Sequence, residues 1–133
     1  MRLEGGCYCG DIRYLSTGEL EASVQCHCRE CQYITGGNPA VFIVVPLGEF
    51  RFTKGTPSEF TRCDLEKPVR RFFCPNCGTH IGNRSPNRAE VMILKVGTLD
   101  NPSIFKSELA IFTIDKQTFH HIPEDIPQFE RRP

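Results

Sequence analysis

Cys74-Pro75-Asn76-Cys77-Gly78 decides how the chain is to be read. Two residues between cysteines let the backbone turn so that both sulfurs reach one ion at about 2.3 Å, and a following glycine permits the tight exit. The matching half lies far upstream, in Cys7-Tyr8-Cys9-Gly10. With one intervening residue in an extended segment, both of its sulfurs fall on the same side. Together Cys7, Cys9, Cys74 and Cys77 make up a four-thiolate structural zinc site that staples the start of the chain to its middle, as a small β domain needs. Redox-active thiols are the competing reading, but dithiol redox motifs precede a helix in a βαβ setting that this sequence lacks.

Three more cysteines stand within Cys26-His27-Cys28-Arg29-Glu30-Cys31-Gln32, at the end of an apolar strand and the start of a turn. A closed structural site needs four protein ligands, whereas three leave a position for water or substrate, so function is expected at Cys26, Cys28 and Cys31. Three thiolates on one divalent zinc leave net charge minus one, a poor arrangement for activating water. Such a site is better suited to an incoming thiol, which loses its proton on coordination. His27 points away from its neighbours' sulfurs if the segment is extended, and a hydrogen bond suits it better than ligation. Cys63 reads as a buried small hydrophobe, with the fourth position of the second site as its alternative.

The remaining sequence points to one mainly β domain. At 133 residues and 39% apolar composition it can bury a single core and is too short for two ordinary ones. Candidate strands run over 11–15, 20–26, 40–45, 49–53, 58–62, 69–73, 90–96 and 109–114, rich in β-branched and aromatic residues, with only 29–34 as a short helical turn. The unbroken apolar run Val41-Phe42-Ile43-Val44-Val45 suits a strand covered on both faces, while Glu49-Phe50-Arg51-Phe52 alternates and should have one wet face. Pro123, Pro127 and Pro133 make 120–133 a surface tail, with Phe129 pinning it. Sixteen basic and sixteen acidic residues speak against a nucleic-acid partner. No segment has the roughly 20 apolar residues of a membrane span, and the first residues lack the apolar run of a signal peptide, so a cytoplasmic location is expected. In that reducing compartment, closely spaced cysteines are metal ligands more often than disulfides.

On these motifs the chain resembles the glutathione-dependent formaldehyde-activating enzymes and the related centromere protein V domain. The resemblance rests on Gly6-Cys7-Tyr8-Cys9-Gly10 with Ile12-Arg13-Tyr14, on Cys26-His27-Cys28 with Cys31-Gln32 and Thr35-Gly36, on Arg71 through Thr79, and on Gly97-Thr98-Leu99-Asp100-Asn101-Pro102. It implies a tent-like fold of short antiparallel strands, shared with methionine sulfoxide reductase B and Rab-binding exchange factors. It also implies a structural zinc on Cys7, Cys9, Cys74 and Cys77, and a second, exchangeable zinc on Cys26, Cys28 and Cys31 near a glutathione site. The activity it implies is that of a carbon-sulfur lyase, forming or breaking S-hydroxymethylglutathione. The chain departs from the family in having Phe119 near its end and no tryptophan.

The expected chemistry is therefore addition of a glutathione-like thiol to formaldehyde or another small aldehyde. Arg29, Glu30 and Gln32 stand beside the ligands as possible contacts, and Arg70 and Arg71 offer the fork geometry that binds carboxylates. Two alternatives come from other classes. One is a zinc-stabilised binding module or glutathione carrier without catalysis. The other is a sulfoxide reductase using Cys63, although no segment here resembles that family's catalytic one.

Overall fold

The computed structural model describes residues 1–133, and the chain is mainly β. Ten strands form: β1 (Leu3–Gly6), β2 (Arg13–Ser16), β3 (Ala22–Cys26), β4 (Ala40–Pro46), β5 (Phe50–Lys54), β6 (Ser58–Phe60), β7 (Arg70–Phe73), β8 (His80–Ser85), β9 (Arg88–Lys95) and β10 (Leu109–Ile111). One helix, α1 (Arg29–Thr35), follows β3. The strands make a small sheet, β1-β2-β5, and a large one, β10-β3-β4-β9-β8-β7-β6. All pairings are antiparallel except β10, which lies parallel to β3.

β4 shows why its sequence does not alternate. Ile43 and Val45 face a core shared with Tyr14 of the small sheet and with Ile81, Met92 and Leu94 of the large one. Ala40, Phe42 and Val44 face the opposite way, among Val24, Cys26 and Val91. Period-two geometry puts alternate residues on alternate faces, so a strand wanted on both faces must be apolar throughout. β5 keeps the expected alternation, with Phe50 and Phe52 half-buried and Arg51 exposed.

Two strands escape a propensity reading. β1, Leu3-Glu4-Gly5-Gly6, and β8, His80 through Ser85, contain few strand formers and exist because they pair with β2, β7 and β9. β10 is shorter than expected because Phe112 adopts φ 54°, the left-handed region, and turns the chain.

The segment 120–133 carries mostly exposed residues, yet its backbone is tied to β10. Ala110 N–H donates to the Pro127 carbonyl, and Phe129 N–H donates to that of Ala110. Phe112 N–H donates to the Arg131 carbonyl. Phe129 thereby holds the segment along the edge of the large sheet.

Candidate metal and thiol site

The first cysteine group lies where two turns meet. The β1–β2 turn is closed by Cys7 N–H donating to the Ile12 carbonyl (3.0 Å), and the β7–β8 turn by Cys74 N–H donating to that of Thr79 (2.9 Å). Gly10 (φ 85°) and Gly78 (φ 76°) end the two cysteine pairs in the left-handed region, where a side chain would be strained. The sulfurs of Cys7, Cys9, Cys74 and Cys77 lie within 4.8 Å of one another. Cys7 and Cys9 are 3.6 Å apart and Cys9 and Cys74 are 3.7 Å apart. A tetrahedron with metal–sulfur bonds of about 2.3 Å has edges of about 3.8 Å, so the donor set fits a metal ion of that kind.

Backbone and side-chain donors already point at these sulfurs. Ile12 N–H donates to Cys7 Sγ (3.2 Å), and the Asn76 and Cys77 N–H groups donate to Cys74 Sγ (both 3.4 Å). Thr79 accepts from Tyr8 N–H (3.1 Å), which leaves its hydroxyl proton for Cys77 Sγ at 3.2 Å. That hydrogen bond, helped by the Thr79 and Cys9 backbone, pulls the Cys77 thiol down to about 5. Such donors hold thiolates in place and orient them for a cation.

The second group is local. Cys26 ends β3, Cys28 caps α1 with its sulfur accepting from Cys31 N–H (3.3 Å), and Cys31 sits in the helix's first turn. Their three sulfurs also lie within 4.8 Å of one another. Hydrogen bonds from Cys26 and Cys31, the Cys31 N–H and the charge of Arg71 hold the Cys28 thiol low, at about 2. Cys26 is pushed far up by donating to Cys28 and Cys31 and by burial. The trio therefore supports one negative charge easily, and further ionisation calls for a cation among the sulfurs.

Cys63 does not meet these expectations. It is exposed, on the loop after β6, and is neither a buried hydrophobe nor part of the three-sulfur group. The loop's charged side chains explain its place: Arg62 is paired to Asp64 (2.6 Å) and lies 3.7 Å from Glu30, which holds the loop at the protein surface.

His27 is fully buried and turned away from the sulfurs. Gln25 Nε2 donates to His27 Nε2 (3.0 Å), so His27 Nδ1 carries the proton and donates to His120 Nδ1 (2.9 Å). His120 Nε2 in turn donates to the Gly37 carbonyl (2.8 Å). This neutral chain of hydrogen bonds ties the cysteine loop to the C-terminal segment, and burial with the neighbouring His120 pushes His27 down to about 4. Gln32 acts alongside it, donating to the carbonyls of His27 (2.8 Å) and Asp115 (3.0 Å).

The three sulfurs open onto a cavity of about 190 Å³. Strand register explains its walls: Ile93 pairs with Asn83, and Asn83 with Arg71, while Lys95 pairs with Phe42. These positions share the sheet face that carries Cys26. Lys95 is 9% exposed and its ammonium lies 5.4 Å from the Phe42 ring centre. Arg71 is fixed by Glu30 at 2.8 Å. Asn83 is 8% exposed, and its Oδ1 is buried without a hydrogen-bond partner. Of the other candidates, Arg70 points elsewhere and pairs with Glu59 (2.5 Å), and Arg29 lies over the exposed Tyr33 ring. Lys95 and Asn83 escape the motif reading. Period two along Val91, Ile93 and Lys95 was the available signal, since it puts one charge at the end of an apolar face.

The fold and site define a small β domain with two sulfur groups able to hold metal, one of four donors and one of three beside a cavity bordered by Arg71 and Lys95. The chain matches the family described as glutathione-dependent formaldehyde-activating enzyme over residues 2–115, and it belongs to that family. No curated protein matches it. A Rhodobacter sphaeroides protein of known crystal structure has the same fold, with a TM-score of 0.62 and 17% identity over 94% of this chain and 98% of that one. No helix is long and apolar enough to cross a membrane.

Proposed function

We propose that this protein holds a structural zinc on Cys7, Cys9, Cys74 and Cys77 and an exchangeable zinc on Cys26, Cys28 and Cys31. At the second site it handles a cytoplasmic thiol of the glutathione kind together with formaldehyde or another small aldehyde. The second ion, when bound, supplies the positive charge that draws the proton from an incoming thiol near neutral pH.

The chain's own residues do the rest. Arg71 brings a positive charge to a cavity where three sulfurs, and a fourth from the substrate, accumulate negative charge, and that negative charge favours the ammonium of Lys95, which burial by itself disfavours. Asn83 Oδ1 offers an unused acceptor to an N–H or O–H of the ligand. Phe42, Ile93 and Ile111 give the cavity an apolar wall beside the reacting atoms. In the reaction, sulfur forms a bond to the carbonyl carbon, the carbon–oxygen π pair moves to oxygen, and oxygen takes up a proton. The reverse breaks the carbon–sulfur bond, which is lyase chemistry.

The observation that carries this reading is a group of only three sulfurs, Cys63 standing apart, facing a cavity that holds buried cations. The test is calorimetric titration of the zinc-loaded protein with glutathione, followed by measurement of adduct formation after formaldehyde is added. Heat of binding and accelerated adduct formation are expected. No thiol-dependent signal at millimolar glutathione would contradict the reading.

A further inference from the structure

The same sheet face that presents the sulfurs continues away from them. Along β3 it carries Cys26, Val24 and Ala22 in turn, and register sets Ala40, Phe42 and Val44 of β4 beside them. Ile93 and Val91 of β9 and Leu109 of β10 complete an apolar trough of about 370 Å³. Phe42, Ile93 and Ile111 line both this trough and the thiol cavity, so the two are continuous.

The trough is partly roofed. Arg132 borders both spaces and lies 5.7 Å from the Phe112 ring centre. With its amide oxygen turned toward the guanidinium, Asn87 accepts from Arg132 Nη1 (3.1 Å) and Nη2 (2.9 Å). The C-terminal segment thus reaches across to the β8–β9 turn above the join between the two spaces. A trough of this volume, joined at one end to the thiol cavity through Phe42, Ile93 and Ile111, matches a single chain carried by a ligand whose reacting atoms sit at the sulfurs. From Cys26 to Ala22 the strand rises about 13 Å, the length of an extended alkyl chain of roughly eight to ten carbons. Formaldehyde, a single carbon, would leave this trough empty.

Building on the thiol reading of the neighbouring site, we infer that the trough receives a linear aliphatic chain borne by the aldehyde, or by its thiol adduct, so that the substrate class is medium-chain alkyl aldehydes. The sulfur and the carbonyl carbon occupy the cationic cavity, and the chain runs under Arg132 toward Ala22. Bond changes at the reacting carbon are those already given, whatever the chain length.

The test uses the zinc-loaded full chain and three sets of calorimetric titrations. n-Alkanols from two to ten carbons probe the trough without any thiol, S-alkylglutathiones probe trough and cavity together, and glutathione probes the cavity alone. Affinity in both alkyl series should rise up to about fourfold per methylene, levelling off near eight carbons. Ala22→Phe fills the far end from the trough's rim without burying a charge, and should bring the plateau forward by two or more carbons while leaving glutathione binding unchanged. Leu109→Phe, on β10 beside Val24, should shorten the plateau in the same direction if Ala22→Phe fails to fold. Equal affinity across chain lengths, or a plateau that neither variant moves, overturns the inference and leaves the thiol reading standing. A chain-length slope with no glutathione binding supports the trough and removes the thiol reading. A dimer in sedimentation equilibrium that Ala22→Phe dissociates, with no slope for alkanols, overturns the inference in favour of a second copy of the chain as occupant.

Discussion

The two cysteine groups differ less in chemistry than in what the polypeptide spends on bringing them together. The four-sulfur group joins the β1–β2 turn to the β7–β8 turn, segments distant in sequence, and each turn is closed by its own backbone hydrogen bonds. The three-sulfur group is assembled within six residues by the end of β3 and the cap of α1, and faces a cavity rather than another turn. An ion binding the first group has its free energy coupled to the closure of the whole chain. An ion binding the second enters a place that strand and helix already shape. On the proposed reading one region is a staple and the other a socket.

The largest expected effect comes from breaking the staple. Cys77→Ala should abolish cooperative folding, since structural zinc sites supply on the order of 10 kcal/mol or more, and circular dichroism on heating would show a broad or absent transition. Cys28→Ala should cost only about 1–3 kcal/mol through lost capping and packing, keeping a sharp transition while glutathione binding disappears. Equal damage from both substitutions would make both regions staples.

A smaller effect sharpens the socket alone. Lys95→Met keeps the length and apolar stem of the side chain and removes its charge, so the fold should persist while glutathione affinity falls about tenfold or more by calorimetry. Unchanged affinity would separate Lys95 from the thiol.

The smallest effect lies under the small sheet, on the staple's side. Burial pushes the Tyr14 hydroxyl up from 10.0 to about 12, so the folded chain keeps a proton that the unfolded chain loses above pH 10. Stability should therefore be undiminished by this group below about pH 10 and fall as pH rises toward 12. Tyr14→Phe removes the hydrogen bond to Thr98 at 2.8 Å. It should cost about 1 kcal/mol at neutral pH while flattening that alkaline slope in denaturant titrations.

Much of this was legible in the residues, for physical reasons that can be named. Cysteine spacing separates the two sulfur groups because a turn of two residues or an extended step of one limits where sulfurs can point. The run Val41 through Val45 announces a strand used on both faces, and the structure adds what the second face is for: it carries the cavity and the trough beyond it. β1 and β8 were illegible because glycine-rich and polar residues become strands only through their neighbours' edges. Cys63 was misread because an isolated cysteine carries no spacing, and the Arg62 and Asp64 beside it hold the residue at the surface. Lys95, Asn83 and Arg132 converge on the cavity only through register and the return of the C-terminal segment, which no local motif encodes.

The most direct test counts zinc per chain before and after a mild chelator, with glutathione titrated at each stage. Two ions at the start, one remaining after chelation on a protein still folded, and glutathione binding lost with the departing ion and restored by added zinc are the results expected. Two ions that leave only together as the chain unfolds, or a chelated protein that binds glutathione undiminished, would contradict the division into staple and socket.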